Sequence, residues 1–175
     1  MKKIRTLSLI AMVILAPYLI AYPYFALEFQ LQMVFLKPGL WESHRWVSEG
    51  AVIATTTRAV YFLMWLVPTI LGVGAILTAL SIARLFYAGT IFADRVALKV
   101  MRLGQYTASS AFLTILAGCA TPKVISWHNV DGPLDFRLWI SVPNAGLVLC
   151  GLAFLLMGAV LREGIALAKE NEAFV

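Results

Sequence analysis

RLFYAGTIFADRVALKVMRLG, residues 84–104, is the stretch on which the fold turns. It lies between two long apolar runs, 59–83 and 105–124, and carries four basic residues: Arg84, Arg95, Lys99 and Arg102. Gly89 sits where a helix arriving from the first run has to stop, since glycine takes the left-handed conformation that closes a helix without steric cost. Asp94 follows near the start of the next helical pattern, where a side-chain oxygen can accept a free backbone N–H. From there Phe92, Val96, Val100 and Leu103 fall on one helical stripe, and Arg95, Lys99 and Arg102 fall on another. A segment basic on one side and apolar on the other, set between two membrane-length runs, reads as a connector lying at a bilayer surface. Its cations suit anionic lipid headgroups or an acidic partner.

Composition agrees. The 175 residues are 61% hydrophobic and only 13% charged, with a mean hydropathy of +0.86. A water-soluble domain is about half apolar, and one of this size has no interior in which to hide the excess. The length suits a single domain, 1–175, without a separate catalytic unit. The formal charge of +5 would suggest nucleic acid on a soluble chain. Here the basic residues cluster beside apolar runs, which points to membrane lipids and away from nucleic acid. Cys119 and Cys150 lie inside apolar runs and offer no disulfide framework.

Four spans follow, at about 7–27, 59–83, 105–124 and 139–161. The first run is longer than a signal-peptide core of about 7–15 residues and lacks a small-x-small cleavage site, so it reads as a retained span. Pro17 and Pro23 are expected to bend it, and Tyr18, Tyr22 and Tyr24 to sit near an interface. Pro68, with Gly72 and Gly74 behind it, predicts a kink in the second span. Ala75, Ala79 and Ala83 repeat every fourth residue, as a close helix–helix contact requires. Ser110, Thr114 and Gly118 form a second small ridge, expected to oppose the first. Gly146, Cys150, Gly151 and Gly158 are the small packing positions of the fourth span. The hydroxyls of Ser109, Ser110 and Thr114 are expected to bond to carbonyls one turn back. The fold class is therefore all-α, an integral membrane bundle of four transmembrane helices.

Two loops carry the remaining polar residues. In 28–58, Pro38–Gly39 marks a turn, and Trp41 and Trp46 are placed to anchor a short interfacial helix. In 123–138, Asp131–Gly132–Pro133 marks another turn, with Trp127 beside it as a lipid- or partner-facing aromatic. His128, Asp131 and Asp135, together with Glu42 or His44, come nearest to a ligand set, but their spacing matches no metal site. No nucleophile stands beside His128. No catalytic, cofactor-binding or metal-ligating residue is predicted, and the chain is not expected to be an enzyme.

Four spans put both termini on one side of the membrane. That side holds Lys2, Lys3, Arg5, Arg84, Arg95, Lys99, Arg102, Arg162 and Lys169; the other holds Lys37, Arg45, Arg58, Lys123 and Arg137. The excess of Lys and Arg predicts cytoplasmic termini and a cytoplasmic connector. No ionisable group is central in any span, which argues against proton pumping or ion-coupled transport.

Two segments carry a resemblance. LFYAGTIFADRVALKVMRLG resembles the core of the DUF2975 family of small bacterial four-span membrane proteins of unknown function. That family shows a G-x-F-(S/T) turn and then a basic helix ending in L-x-x-x-G. The counterparts in this chain are Gly89, Ile91–Phe92, Ala93 and Leu98 to Gly104, with Ala93 in place of Ser or Thr. The ending LREGIALAKENEAFV is similar to the family's tail at Arg162, Glu163, Gly164, Leu167, Glu170, Glu172 and Val175. The resemblance implies a bacterial inner-membrane protein and brings no catalytic residues with it. The functional expectation is an accessory or interaction subunit of a membrane complex, in contact with lipids and with other membrane proteins or copies of itself. The alternative is a small sensor or transporter for an apolar or lipid-like molecule.

Overall fold

The computed structural model describes residues 2–36, 39, 44–51 and 53–172. Among them are four long helices: α1 (Lys2–Leu31), which runs on through a π-helical segment at Gln32–Leu36, α2 (Thr55–Tyr87), α3 (Asp94–Ile125) and α4 (Val142–Glu172). Each is long and apolar enough to cross a membrane, and the described residues contain no strand. The all-α bundle expected from the composition is the fold observed.

The helices outrun the expected spans at nearly every end. At 1.5 Å per residue, 30 to 33 residues reach about 45–50 Å, against a hydrocarbon core of about 30 Å. Their ends therefore project into the headgroup region or beyond. The connector's basic stripe is accordingly not a separate helix but the first turns of α3, and the 162–172 tail is the last turns of α4. Asp94 and Lys169 join these two extensions in an exposed ion pair. Asp94 is thus an ion-pair partner; the N-cap position belongs to Ala93, which makes no side-chain cap bond. α4 begins at Val142 rather than at Trp139. Ser141 caps it, its Oγ accepting the Asn144 N–H at 3.3 Å, and Pro143 falls in the first turn, where its missing N–H costs nothing.

The turn between α2 and α3 closes as the glycine requires. Gly89 has φ +85°. Its N–H donates to Phe86 O, and the Thr90 N–H donates to Leu85 O, the paired bonds of a Schellman ending. Beyond it Arg95 donates to Thr90 Oγ1 at 3.0 Å. Val96 and Val100 turn inward and pack with Ile82, Phe86, Phe154 and Leu161, whereas Phe92, ahead of the helix, is 80% exposed.

Each helix packs on its neighbour in sequence: α1 on α2, α2 on α3, α3 on α4. Among the described residues no Cα of α1 comes within 8 Å of one in α4. The bundle is therefore an arc with an open side rather than a closed ring of four. α3 and α4 approach most closely, because glycines meet backbone there. A Cβ on Gly104 would lie 2.5 Å from Gly151 O, one on Gly151 would lie 2.6 Å from Ala108 N, and one on Gly158 would lie 2.8 Å from Met101 N. Small residues let backbones approach and recover dispersion energy where lipid gives no hydrophobic driving force.

At the end opposite the termini, the loops fold over the bundle. Residues 44–51 form two turns rather than a helix: the Val47 N–H donates to His44 O, and the Ala51 N–H donates to Ser48 O, with Gly50 at φ +81°. Trp41 lies outside the described residues. Met33, Ile53, Tyr61 and Ile125 form a buried cluster beneath these turns, with Trp46 and Val47 packed onto it.

Candidate functional site

The site is built from two loops and the ends of three helices. Asn129 ties the loops together: its Oδ1 accepts the Ser48 N–H at 3.0 Å, and its Nδ2 donates to Trp46 O at 2.9 Å. Thr57 Oγ1 and His128 Nε2 are hydrogen-bonded at 2.9 Å, so His128 links the second loop to the start of α2. Ser126 Oγ accepts the Leu134 N–H at 2.7 Å and closes the second loop on itself. The segment ahead of α4 then lies back along α3. The Arg137 N–H donates to Cys119 O at 3.2 Å, the Trp139 N–H donates to Cys119 Sγ at 3.2 Å, and the Trp139 ring covers Gly118. Both cysteines are free thiols.

Under this cap is a cleft of about 440 Å³. Phe29, Trp46, Tyr61, Trp65 and Trp139 supply aromatic wall, and His44, Arg45 and Arg137 supply the titratable and cationic groups. Among the described residues no carboxylate lines it and neither arginine is paired with one. The Arg45 guanidinium lies 4.9 Å from the centre of the Trp46 ring, a cation–π distance. The His44 imidazole is held below its usual pKa of 6.5, first by burial and then by the neighbouring Arg45 charge. Its Nδ1 accepts the Trp46 N–H at 3.4 Å, which also requires that nitrogen to be unprotonated.

Among the described residues, two buried polar atoms of cleft-lining side chains lack a partner: Gln30 Oε1 and Trp65 Nε1. Gln30 is 6% exposed and is hydrogen-bonded to Tyr61, leaving its carbonyl oxygen unmet. A buried acceptor or donor without a partner costs about 1–3 kcal/mol, so such atoms are uncommon without a ligand or water.

Trp65 also lines a second cavity of about 410 Å³, deeper in the bundle, with Tyr22, Pro68, Thr69, Gly72, Ala75, Ser110, Thr114 and Asn144 around it. All four helices contribute, so this cavity sits on the arc's open side. Its hydroxyls are already engaged. Ser110 Oγ donates to Pro68 O at 2.7 Å, Thr114 Oγ1 to Ser110 O at 2.9 Å, and Thr69 Oγ1 to Trp65 O at 2.8 Å. Tyr22 crosses from α1 over Gly72 and bonds to Ser110. The same face of α2 continues through Ala79 and Ala83 into a third cavity, about 510 Å³ and lined almost wholly by apolar side chains.

The residues singled out in the sequence are distributed as follows. Ala75 lines the second cavity together with Ser110 and Thr114, and Ala79 and Ala83 line the third with side chains of α1. Ser110 reaches α2 at Pro68, Thr114 bonds one turn back, and Gly118 meets Trp139. Gly151 faces Gly104 and Ala108, while Gly146 has open space around it. Arg95 and Arg102 are exposed at the start of α3 and Lys99 is half-buried. Trp46 is half-buried in the cleft wall, and Trp127 is 57% exposed. His128, Asp131 and Asp135 do not converge: among the described residues no three of His, Cys, Asp and Glu are placed to hold a metal. Gln30, Trp65, Asn129 and Arg137 are the site residues not singled out. Gln30 carried one signal, its four-residue spacing from Tyr22 and Ala26, which puts an amide on the groove-facing stripe of α1.

No family model matches the chain, and neither a curated protein nor a solved structure is significantly similar to it. The likeness to DUF2975 proteins is carried by the quoted residues alone. Fold and composition define a small membrane-spanning helical protein.

Proposed function

We propose that this is a non-enzymatic bacterial inner-membrane protein, with both termini and the connector cytoplasmic, that holds a lipid-like molecule in the groove on the open side of the bundle. It acts as a sensor or carrier of that molecule. The observation that carries the reading is that the 440 Å³ and 410 Å³ cavities share Trp65 as a wall, on the side where α1 and α4 stand apart. A molecule dissolved in the bilayer can enter there laterally. The internally bonded hydroxyls of Ser110, Thr114 and Thr69 leave a lining to which acyl chains can pack. The orientation rests on the excess of Lys and Arg at the terminal side, and the bacterial inner membrane on the DUF2975 resemblance.

The accessory-subunit reading has its own support. The outer face of α4 exposes Leu149, Leu152, Leu156 and Val160, and a partner's helix could close the arc between α1 and α4. One experiment separates the two. Mass spectrometry of the protein purified in gentle detergent is expected to find a lipid-like molecule bound one to one, and Ala75→Phe, which fills the groove, is expected to remove it. A specific co-purifying membrane protein with an empty groove would favour the subunit reading.

A further inference from the structure

The groove has chemically different ends, and that difference selects a ligand. We infer that it takes an anionic phospholipid, with the phosphate held by Arg45 and Arg137 under the loop cap and one acyl chain running down α2 past Pro68 and Gly72. This assignment rests on the groove reading above and adds the headgroup chemistry to it.

Three observations support it. First, among the described residues the loop-end cleft is lined by two arginines and no carboxylate, and both guanidinium groups lack an acidic partner there. Guanidinium groups are suited to phosphate because their forked donors match its oxygens. Second, the unmet atoms are complementary to such a headgroup. The Trp65 indole N–H can donate to a phosphate or ester oxygen, and Gln30 Oε1 can accept from a headgroup hydroxyl. A purely apolar ligand would leave both unmet. Third, the dimensions agree. From Tyr61, in the loop-end cleft, to Ile76, in the deeper cavity, α2 advances about 22 Å. One leaflet of the hydrocarbon core is about 15 Å deep, so a tilted acyl chain anchored at the cap fits within the groove. Because the groove opens laterally, the leaflet itself is the source of the ligand. On the proposed orientation this is the outer leaflet of the inner membrane.

The experiment is a competition read by native mass spectrometry on the full chain. Phosphatidylglycerol and phosphatidylcholine with identical chains are offered at equal concentration. Near a surface each basic group contributes about fivefold, so the wild type is expected to prefer phosphatidylglycerol about thirtyfold. Arg45→Gln with Arg137→Gln, both exposed and therefore safe for folding, is expected to bring the ratio close to one. Mid-chain brominated phosphatidylglycerol should quench tryptophan fluorescence in the wild type and much less in Ala75→Phe, which checks that the chain lies in the groove. Equal binding of the two lipids, still lost in Ala75→Phe, would overturn the anionic assignment and leave the groove reading standing. Binding insensitive to Ala75→Phe would overturn both. Displacement of phosphatidylglycerol by an equimolar fatty acid would overturn the phospholipid as occupant.

Discussion

Adding one methyl group at Gly151 tests the packing that holds α4 in place. The new Cβ would lie 2.6 Å from Ala108 N, 2.7 Å from Ala108 Cβ and 2.8 Å from Gly104 O. None of these atoms belongs to a flexible side chain that could swing away. The helices must separate by about 1 Å to restore ordinary contact, and a gap of that size forfeits a quarter to a half of each contact's dispersion well. Overpacking of this kind costs about 1–3 kcal/mol. Against it stands the helix-propensity gain of alanine over glycine, up to about 1 kcal/mol. Gly146 lies on the same helix with nothing within 4 Å of an added Cβ, so Gly146→Ala should keep only the gain. The propensity gain is common to both variants, so they should differ by the overpacking cost, about 1–3 kcal/mol, with Gly151→Ala below Gly146→Ala and Gly146→Ala at or above wild type. Reversible unfolding in mixed micelles of increasing denaturing-detergent fraction, followed by circular dichroism, measures this directly. If both variants moved in the same direction by similar amounts, the Gly104–Gly151 crossing would not be the contact that seats α4.

Other outcomes follow from the turns, the loop clamp and the charges. Gly89→Ala should lose about 1–2 kcal/mol, the penalty for a Cβ in the left-handed region at φ +85°, read in the same unfolding assay. Asn129→Ala removes both bonds to the first loop and should cost about 1–3 kcal/mol, with faster hydrogen exchange at 46–51 and little change in the helices. His44 is held below pKa 6.5 by burial and by Arg45, so the unfolded chain takes up the proton first. Stability should therefore fall as pH drops through about 6.5 and level off below the folded pKa; His44→Gln should flatten that slope. In a chain with Cys119 and Cys150 replaced, a cysteine at Asp94 should react with an impermeant reagent only from the cytoplasmic side of sealed vesicles; reaction from outside would reverse the orientation.

The number of helices was legible because uncharged runs of membrane length have few alternatives. Their ends were not. Residues 162–172 and 94–104 are rich in charge, so a hydropathy reading stops before them, yet charge does not terminate a helix that projects beyond the hydrocarbon. Gly104 illustrates the same point. Lying beside Arg102 and Leu103, it reads as the end of a basic segment, and only the trajectory of α4 reveals it as the closest helix crossing. The alanine ridge was visible as a pattern but not as a contact, because small residues let a helix approach without saying which one. Here that face of α2 looks toward α1 and the open groove. Nothing local marks Asn129 either: its bonds to Trp46 and Ser48 cross more than eighty positions of sequence.

The polar groups inside the bundle follow a pattern that helix spacing alone does not explain. Lipid-facing positions such as Val13, Ile14, Leu149 and Leu156 carry no hydrogen-bonding side chain, whereas Tyr22, Thr69, Ser110 and Thr114 gather on the open side. In hydrocarbon a hydroxyl must find a partner, and Thr69, Ser110 and Thr114 donate to backbone carbonyls. One of these acceptors is the carbonyl of Pro68, within the stretch where a proline has already removed a helical donor. Tyr22, through Ser110, therefore connects α1 to α3 across the proline turn of α2. A bundle in which the backbones of α1 and α4 stand apart depends on such links to keep its arc from flattening, and the polar residues of the groove serve that end. The same reasoning separates their role from that of Gln30, Trp65, Arg45 and Arg137. The hydroxyls have internal partners and hold the shape. Among the described residues Gln30 and Trp65 have unmet atoms and Arg45 and Arg137 have no acidic partner, and on the proposed reading these are where a bound molecule would gain most.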